Sequence, residues 1–327
     1  MSKYKPLTSY NLSELVKDES VNLADIDVSS LTDMIDVFRG VQRKDWSGIE
    51  TWDVSNVEDI SSMFYKSNVP NVNLNKWNVS SVKYMFSTFR ETDFNGDISS
   101  WDVSNVFDMS FMFDKSAFNG DISKWNVSNV TDMRSMFASS KFTKDISQWD
   151  VSNVLDMCGM FTSSNFNGDI SKWNVGNVDT MAQMFANTDF NGDISRWDVS
   201  KVKNMEFMFA FSKFNNDISE WDVSKVEDMS WMFTNSNFNG DISRWNVSKV
   251  NDMNYMFTNS NFNGDISRWN VSNVTNMFAM FFNSKFNKDI SNWDTANVDD
   301  MRVMFCDCSI NEKFKPSCLL NKVKLQL

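Results

Sequence analysis

The chain has 327 residues, 43 acidic against 31 basic for a net charge of -12, and no histidine. That balance repels nucleic-acid phosphates, and no basic stripe offsets it. The lack of histidine removes the commonest general base at neutral pH and the commonest zinc ligand.

The opening stretch "MSKYKPLTSYNLSELVKDES" lacks the apolar core of about 7–15 residues that marks a signal peptide. The rest of the chain has no run of about 18 apolar residues that could span a bilayer. As given, the chain reads as soluble and cytoplasmic or virion- and host-associated, and as surface-exposed if an export leader has been removed. Residues 1–25, with Tyr10, Leu12 and Leu15, are expected to form an N-terminal cap.

From residue 26 the chain repeats itself. Trp77, Trp101, Trp125, Trp149, Trp173, Trp197, Trp221, Trp245, Trp269 and Trp293 stand 24 residues apart. Trp52 precedes them by 25, with Pro70 inside the long interval, and Ile26 holds the Trp position of a degenerate first copy. The chain also holds 29 Phe and 22 Met, which recur at fixed places and argue against disorder.

One unit, Trp101 to Lys124, shows the expected local structure. Ile98, Trp101 and Val103 suggest a short strand. Val106, Met109, Met112 and Phe113 then come at spacings of three and four, as on one helical face. Asn105 with Asp108 resembles a capping box, with Ser104 as the other candidate cap. Asn119-Gly120 reads as a turn needing positive φ, although Lys144, Asn216 and Lys288 replace the glycine elsewhere.

The expected fold is therefore an α/β solenoid. It is a leucine-rich-repeat-like stack of about twelve strand–short helix–turn units over residues 26–309, with parallel strand pairing. Trp101, Trp125, Trp149, Trp173, Trp197, Trp221, Trp245 and Trp269 form its structural ladder. Residues 310–327, with Phe314, Leu319, Leu320, Val323 and Leu325, are expected to cap the far end. Cys306, Cys308 and Cys318 cluster there, read as capping thiols with a disulfide or a metal site as alternatives.

The string W-[DN]-V-S-N-V-x-D-M-x-x-M-F-x-x-S-x-F-N-x-D-I-S resembles the DUF285 or BspA-like repeat of mycoplasma and Listeria surface proteins. The resemblance spans residues 26–310. It implies a leucine-rich-repeat-like solenoid and a role in surface display, adhesion or other protein interaction.

Three rows of side chains are candidate sites. Asp97, Asp121, Asp145, Asp169, Asp193, Asp217, Asp241, Asp265 and Asp289 repeat in register. Stacked like charges should raise one another's pKa unless a cation such as calcium neutralises them. The plainer reading is a turn cap accepting backbone N–H groups. Identical acids do not make the unequal pair that glycoside hydrolysis needs, and serines without histidine lack a base.

Phe207, Trp231 and Tyr255 occupy one variable position in consecutive units and form an aromatic strip, suited either to binding or to outer core packing. Lys172, Arg196, Arg244 and Arg268 belong to a mostly basic row preceding the Trp. The row suits partner recognition or simple neutralisation of adjacent Asp rows. The functional expectation is a non-enzymatic protein-interaction or structural scaffold displaying a repetitive recognition surface. A carbohydrate-binding or adhesin-like module using the aromatic strip is the alternative. No cofactor and no metal are expected. A protein partner leads, with a glycan or self-assembly behind it, nucleic acid disfavoured, and no membrane span.

Overall fold

The computed structural model describes residues 3–316, which places Cys318 and most of the expected C-terminal cap outside the described residues. The chain divides into two compact units, Met1–Gly168 and Asp169–Leu327. Among the described residues there is one α-helix, α1 (Ser9–Lys17), and three single 3-10 turns, Leu23–Asp25, Ile49–Thr51 and Glu312–Phe314.

Helix α1 starts where Thr8 accepts a hydrogen bond from the Asn11 N–H at 3.1 Å. It buries Leu12 and Val16, while Tyr10, expected in the contact, is 71% exposed. The non-repeated Arg43 ties this segment down. Its guanidinium donates to the carbonyls of Val16 at 2.7 Å, Asp18 at 3.1 Å, Val21 at 2.7 Å and Asp45 at 2.8 Å.

The expected strand–helix solenoid is not what forms. The described residues contain no β-strand, only isolated parallel bridges such as Asp108 to Asp132. The Val106–Phe113 segment is not a helix. Phe111 has φ 58° and Lys115 φ 54°, so the backbone leaves the right-handed region every fourth residue. Successive tight turns replace the helix: Met112 N–H donates to Met109 C=O, Asp114 to Phe111 and Ser116 to Phe113. The positive φ falls at the third residue of the first and last turns, as in type II turns.

The released amides pair between repeats instead. The N–H groups of Met109, Phe111, Phe113 and Lys115 donate to the carbonyls of Asp132, Arg134, Met136 and Ala138. The carbonyls of Asp108, Ser110, Met112 and Asp114 in turn accept from Met85, Ser87, Phe89 and Glu91. In a β-strand successive amides alternate between two neighbours. Here every second N–H of the segment points to the following repeat and every second carbonyl to the preceding one, while the residues between them close the turns, so no ladder of strand type arises. The same four-bond step recurs in the second unit, for example from Met229, Trp231, Phe233 and Asn235 to Asp252, Asn254, Met256 and Thr258. A flanking row runs the other way, with Phe107 N–H on Lys83 C=O and Glu227 N–H on Lys203 C=O.

Side chains fill the interior in matching columns. In the first unit Phe89, Phe113, Phe137 and Phe161 stack with centroids 5.9, 5.8 and 5.9 Å apart. Trp52, Trp77, Trp101 and Trp125 stack at 6.4 Å. In the second unit Phe209, Phe233 and Phe257 continue the pattern at 5.8 and 5.7 Å. The ladder tryptophans are buried, and indole N–H groups along the ladder donate to backbone carbonyls, as Trp245 does to Ile218 at 3.1 Å.

Polar side chains lock the register. The Oδ1 of Asn95 accepts from the Asn119 N–H at 2.7 Å, and that of Asn239 from the Asn263 N–H at 2.8 Å. Asn105, expected to cap a helix, instead donates its Nδ2 to the Ser80 carbonyl at 2.8 Å. Gly120 does not have positive φ, which explains how Lys144, Asn216 and Lys288 fit its row.

Candidate functional site

The Asp row forms turns. Asp217 Oδ1 accepts from the Ser219 N–H at 2.9 Å, and Asp241 from Ser243 at 2.9 Å. The Ser219 backbone N–H, then its hydroxyl, hold the Asp217 carboxyl below the usual range, outweighing Asp193 and Asp241, which push it up. Asp121, Asp169, Asp193, Asp241, Asp265 and Asp289 are lowered in the same way. Hydrogen bonds, not mutual repulsion, set this row. Among the described residues no group of three His, Cys, Asp or Glu could hold a metal ion.

A carboxyl with a lowered folded pKa contributes stability that is present above its unfolded pKa, near 3.9, and is lost as pH falls through the folded value. Melting temperature is therefore expected to fall below about pH 4 on account of this row. Asn fills the same role at Asn73, which accepts from the Asn75 N–H at 2.9 Å without titrating. An Asp217→Asn, Asp241→Asn pair should thus melt like wild type at pH 7 and lose less between pH 4 and 2. Asp114, Asp132 and Glu206, raised first by burial, contribute with the opposite sign. The paired replacement therefore carries the test, and identical acid profiles for variant and wild type would remove the row from the acid response.

The expected repetitive strand surface is also overturned. With most of the chain in loops knit by long-range hydrogen bonds, no strand sheet displays the polar mosaic among the described residues. The Asn and Asp of that mosaic serve turns: Asp150 accepts from Ser152 N–H at 3.0 Å and Asn246 from Ser248 N–H at 3.2 Å. Lys172, Arg196, Arg244 and Arg268 are exposed. Arg244 pairs with Glu220 at 3.2 Å, and Arg244 and Arg268 alternate with Asp241 and Asp265 around an open notch above Trp245. These bases are balanced locally by acids. Among the described residues Cys306 and Cys308 are free thiols.

The aromatic strip is brought together. Phe207 and Trp231 stack at 4.9 Å, Trp231 and Tyr255 at 3.8 Å, and Phe278 meets Tyr255 edge-on at 5.1 Å. Each of the three rings is half-buried. All three residues stand at the left-handed turn position, with φ of 57°, 60° and 54°. Bulky side chains rarely adopt that conformation, so the inter-repeat hydrogen bonds of the turn segment hold them there. The short Ala210 and Thr234 lie buried in the same turns.

Acids flank this strip that sequence reasoning did not single out. Burial, then the Asp228 and Asp252 carboxylates, push Glu206 up. Among the described residues, the salt bridges of the second unit, Lys203–Asp179, Lys213–Asp189, Arg244–Glu220, Arg302–Asp300 and Lys315–Glu312, involve none of these three acids. In the first unit Arg39, Lys66 and Arg90 lie 5.1, 5.1 and 5.5 Å from the Tyr65 ring, Arg90 also lies 4.8 Å from Phe111, and its Nε pairs with Asp114 at 2.8 Å. In the second, Arg302 lies 5.3 Å from the Phe278 ring, so cations meet rings in both units. The sequence signal of the acidic ledge is Glu206 directly before an aromatic residue.

Among the described residues no helix is long and apolar enough to cross a membrane. The family model "Mycoplasma protein of unknown function, DUF285" matches the chain over residues 10–116, 32–141, 112–213, 138–237 and 210–317. No curated protein and no solved structure matches.

Proposed function

The chain belongs to the DUF285 family, and on that premise we propose that it works without catalysis, by engaging a protein partner at one local ledge of its second unit. The ledge is Phe207, Trp231 and Tyr255 with the acids Glu206, Asp228 and Asp252. The observation that carries this reading is a stacked, half-buried aromatic strip bordered by three acids that no basic side chain among the described residues pairs with. Among the described residues the one cation at the strip, Arg302, lies 5.3 Å from the Phe278 ring at its end and pairs with Asp300 instead. Half-buried aromatic edges offer apolar area at little rotamer cost, and acids without a cation choose the sign of the partner. The partner surface is therefore a protein segment with apolar and basic side chains. The absence of catalysis is supported by the Asp row, whose near-identical carboxyls are engaged in turns and held ionised rather than set apart as an acid and a base.

An array of peptides combining Arg or Lys with aliphatic residues, read against acidic counterparts, tests this. Wild type should bind basic members in a salt-sensitive way. Trp231→Ser should weaken binding about tenfold, and Glu206→Gln with Asp228→Asn should weaken it and flatten the salt response. Melting curves establish that each variant is folded. Equal binding to acidic and basic members, or binding indifferent to both variants, would reject the ledge.

A further inference from the structure

We infer that the Asn-Gly pairs of the repeat are latent deamidation sites, restrained in the folded chain by the side-chain ladder between repeats and released when a repeat opens. Asn95-Gly96, Asn119-Gly120, Asn167-Gly168, Asn191-Gly192, Asn239-Gly240 and Asn263-Gly264 carry the sequence that favours this reaction. A glycine has no side chain to hinder its own backbone nitrogen as a nucleophile.

The chemistry needs water alone. The Gly120 nitrogen attacks Asn119 Cγ, a C–N bond forms, and ammonia leaves with the proton the amide gives up. Water then adds to the cyclic imide and opens it at either carbonyl, leaving aspartate or isoaspartate. No electrons change hands.

One feature of the fold opposes the first step. The Asn side chain must turn so that Cγ meets the following nitrogen. Its Oδ1 is held: Asn119 accepts from the Thr143 N–H at 2.9 Å, Asn191 from Asn215 at 2.9 Å, and Asn263 from Asn287 at 2.8 Å. Burial is not the restraint, since Asn119 and Gly120 are only half-buried and water reaches them.

The products differ in consequence. Aspartate keeps an Oδ1 to accept the ladder bond and adds a charge. Isoaspartate inserts an extra carbon into the main chain and throws the following repeat out of register. Opening of a repeat is thus converted into a lasting chemical mark.

Peptide mapping by mass spectrometry after incubation of the full chain at pH 8 and 37 °C tests this, with urea-unfolded chain in parallel. Each Asn-Gly pair should convert at least about tenfold more slowly in the folded protein. Trp245→Phe, which loosens the neighbouring packing without removing the ring, should speed Asn239 and Asn263 and leave Asn95 unchanged. Asn215-Asn216 and Asn287-Lys288 serve as slow references. Equal rates in folded and unfolded chain overturn the inference. So does a Trp245→Phe effect as large at Asn95 as at Asn239.

Discussion

Arg43→Met is expected to destabilise the Met1–Gly168 unit by about 3–5 kcal/mol. Arg43 is 2% exposed, and among the described residues no carboxylate forms an ion pair with it. Its guanidinium is met by carbonyls of Val16, Asp18, Val21 and Asp45, a set that does not recur along the chain. Methionine fills similar space yet leaves the Val16, Val21 and Asp45 carbonyls without that donor, at about 1–3 kcal/mol for each one that stays buried, while Asp18 keeps the Val21 N–H. Lysine should recover less than half of the loss, because one ammonium does not span the positions that a guanidinium fork reaches. Urea unfolding gives the magnitude. Hydrogen exchange at Leu12 and Val16 gives the location, and early loss of protection in α1 is the expected signature. A change below about 1 kcal/mol would show that the clamp is idle.

The second large effect is Trp245→Ala, at about 3–5 kcal/mol. Trp245 is 3% exposed, stacks on Trp269 at 6.5 Å and touches Phe233 at 6.4 Å. Its removal opens a cavity between repeats held by backbone hydrogen bonds, so the walls have little freedom to close. Trp245→Phe separates two contributions. It keeps a ring in the column and leaves the Ile218 carbonyl with the Trp221 N–H alone, at about 0.5–1.5 kcal/mol for the lost indole bond. Chemical denaturation of both variants decides the point. A loss for Ala no larger than for Phe would mean that the column tolerates a missing ring.

The repeat and its interior were legible in the sequence, and its backbone was not. Val106, Met109, Met112 and Phe113 are all buried, as their spacing suggested. That spacing also fits a run of tight turns that returns to the same side every third or fourth residue, so periodicity alone does not separate turn from helix. The deciding feature is the positive φ at Phe111 and Lys115, which residues of those types do not advertise. The direction of the amides has no sequence signature at all, because every non-proline residue carries the same donor and acceptor. The Asp row was readable as a turn device from Asp followed two residues later by Ser. The neighbouring acids do push Asp217 up, but the hydrogen bonds from the Ser219 N–H and hydroxyl outweigh them. At the ledge, Phe207, Trp231 and Tyr255 were visible as an irregularity in one column. Their acid neighbours were not, since Asp228 and Asp252 belong to a row that elsewhere looks like every other Asp.

Near-identity of the repeats carries a folding hazard. Within either unit, a repeat that docks one place too early or too late meets almost the same Trp, Met and Phe partners and almost the same amide row. The native alignment and its slipped neighbour then differ by little energy, and the landscape acquires traps spaced one repeat apart. Something must mark the origin of counting. Arg43 does so in the first unit, because its four carbonyl partners occur once and no slipped alignment reproduces them. The clamp is in that sense a zero point on a ruler whose divisions are otherwise alike.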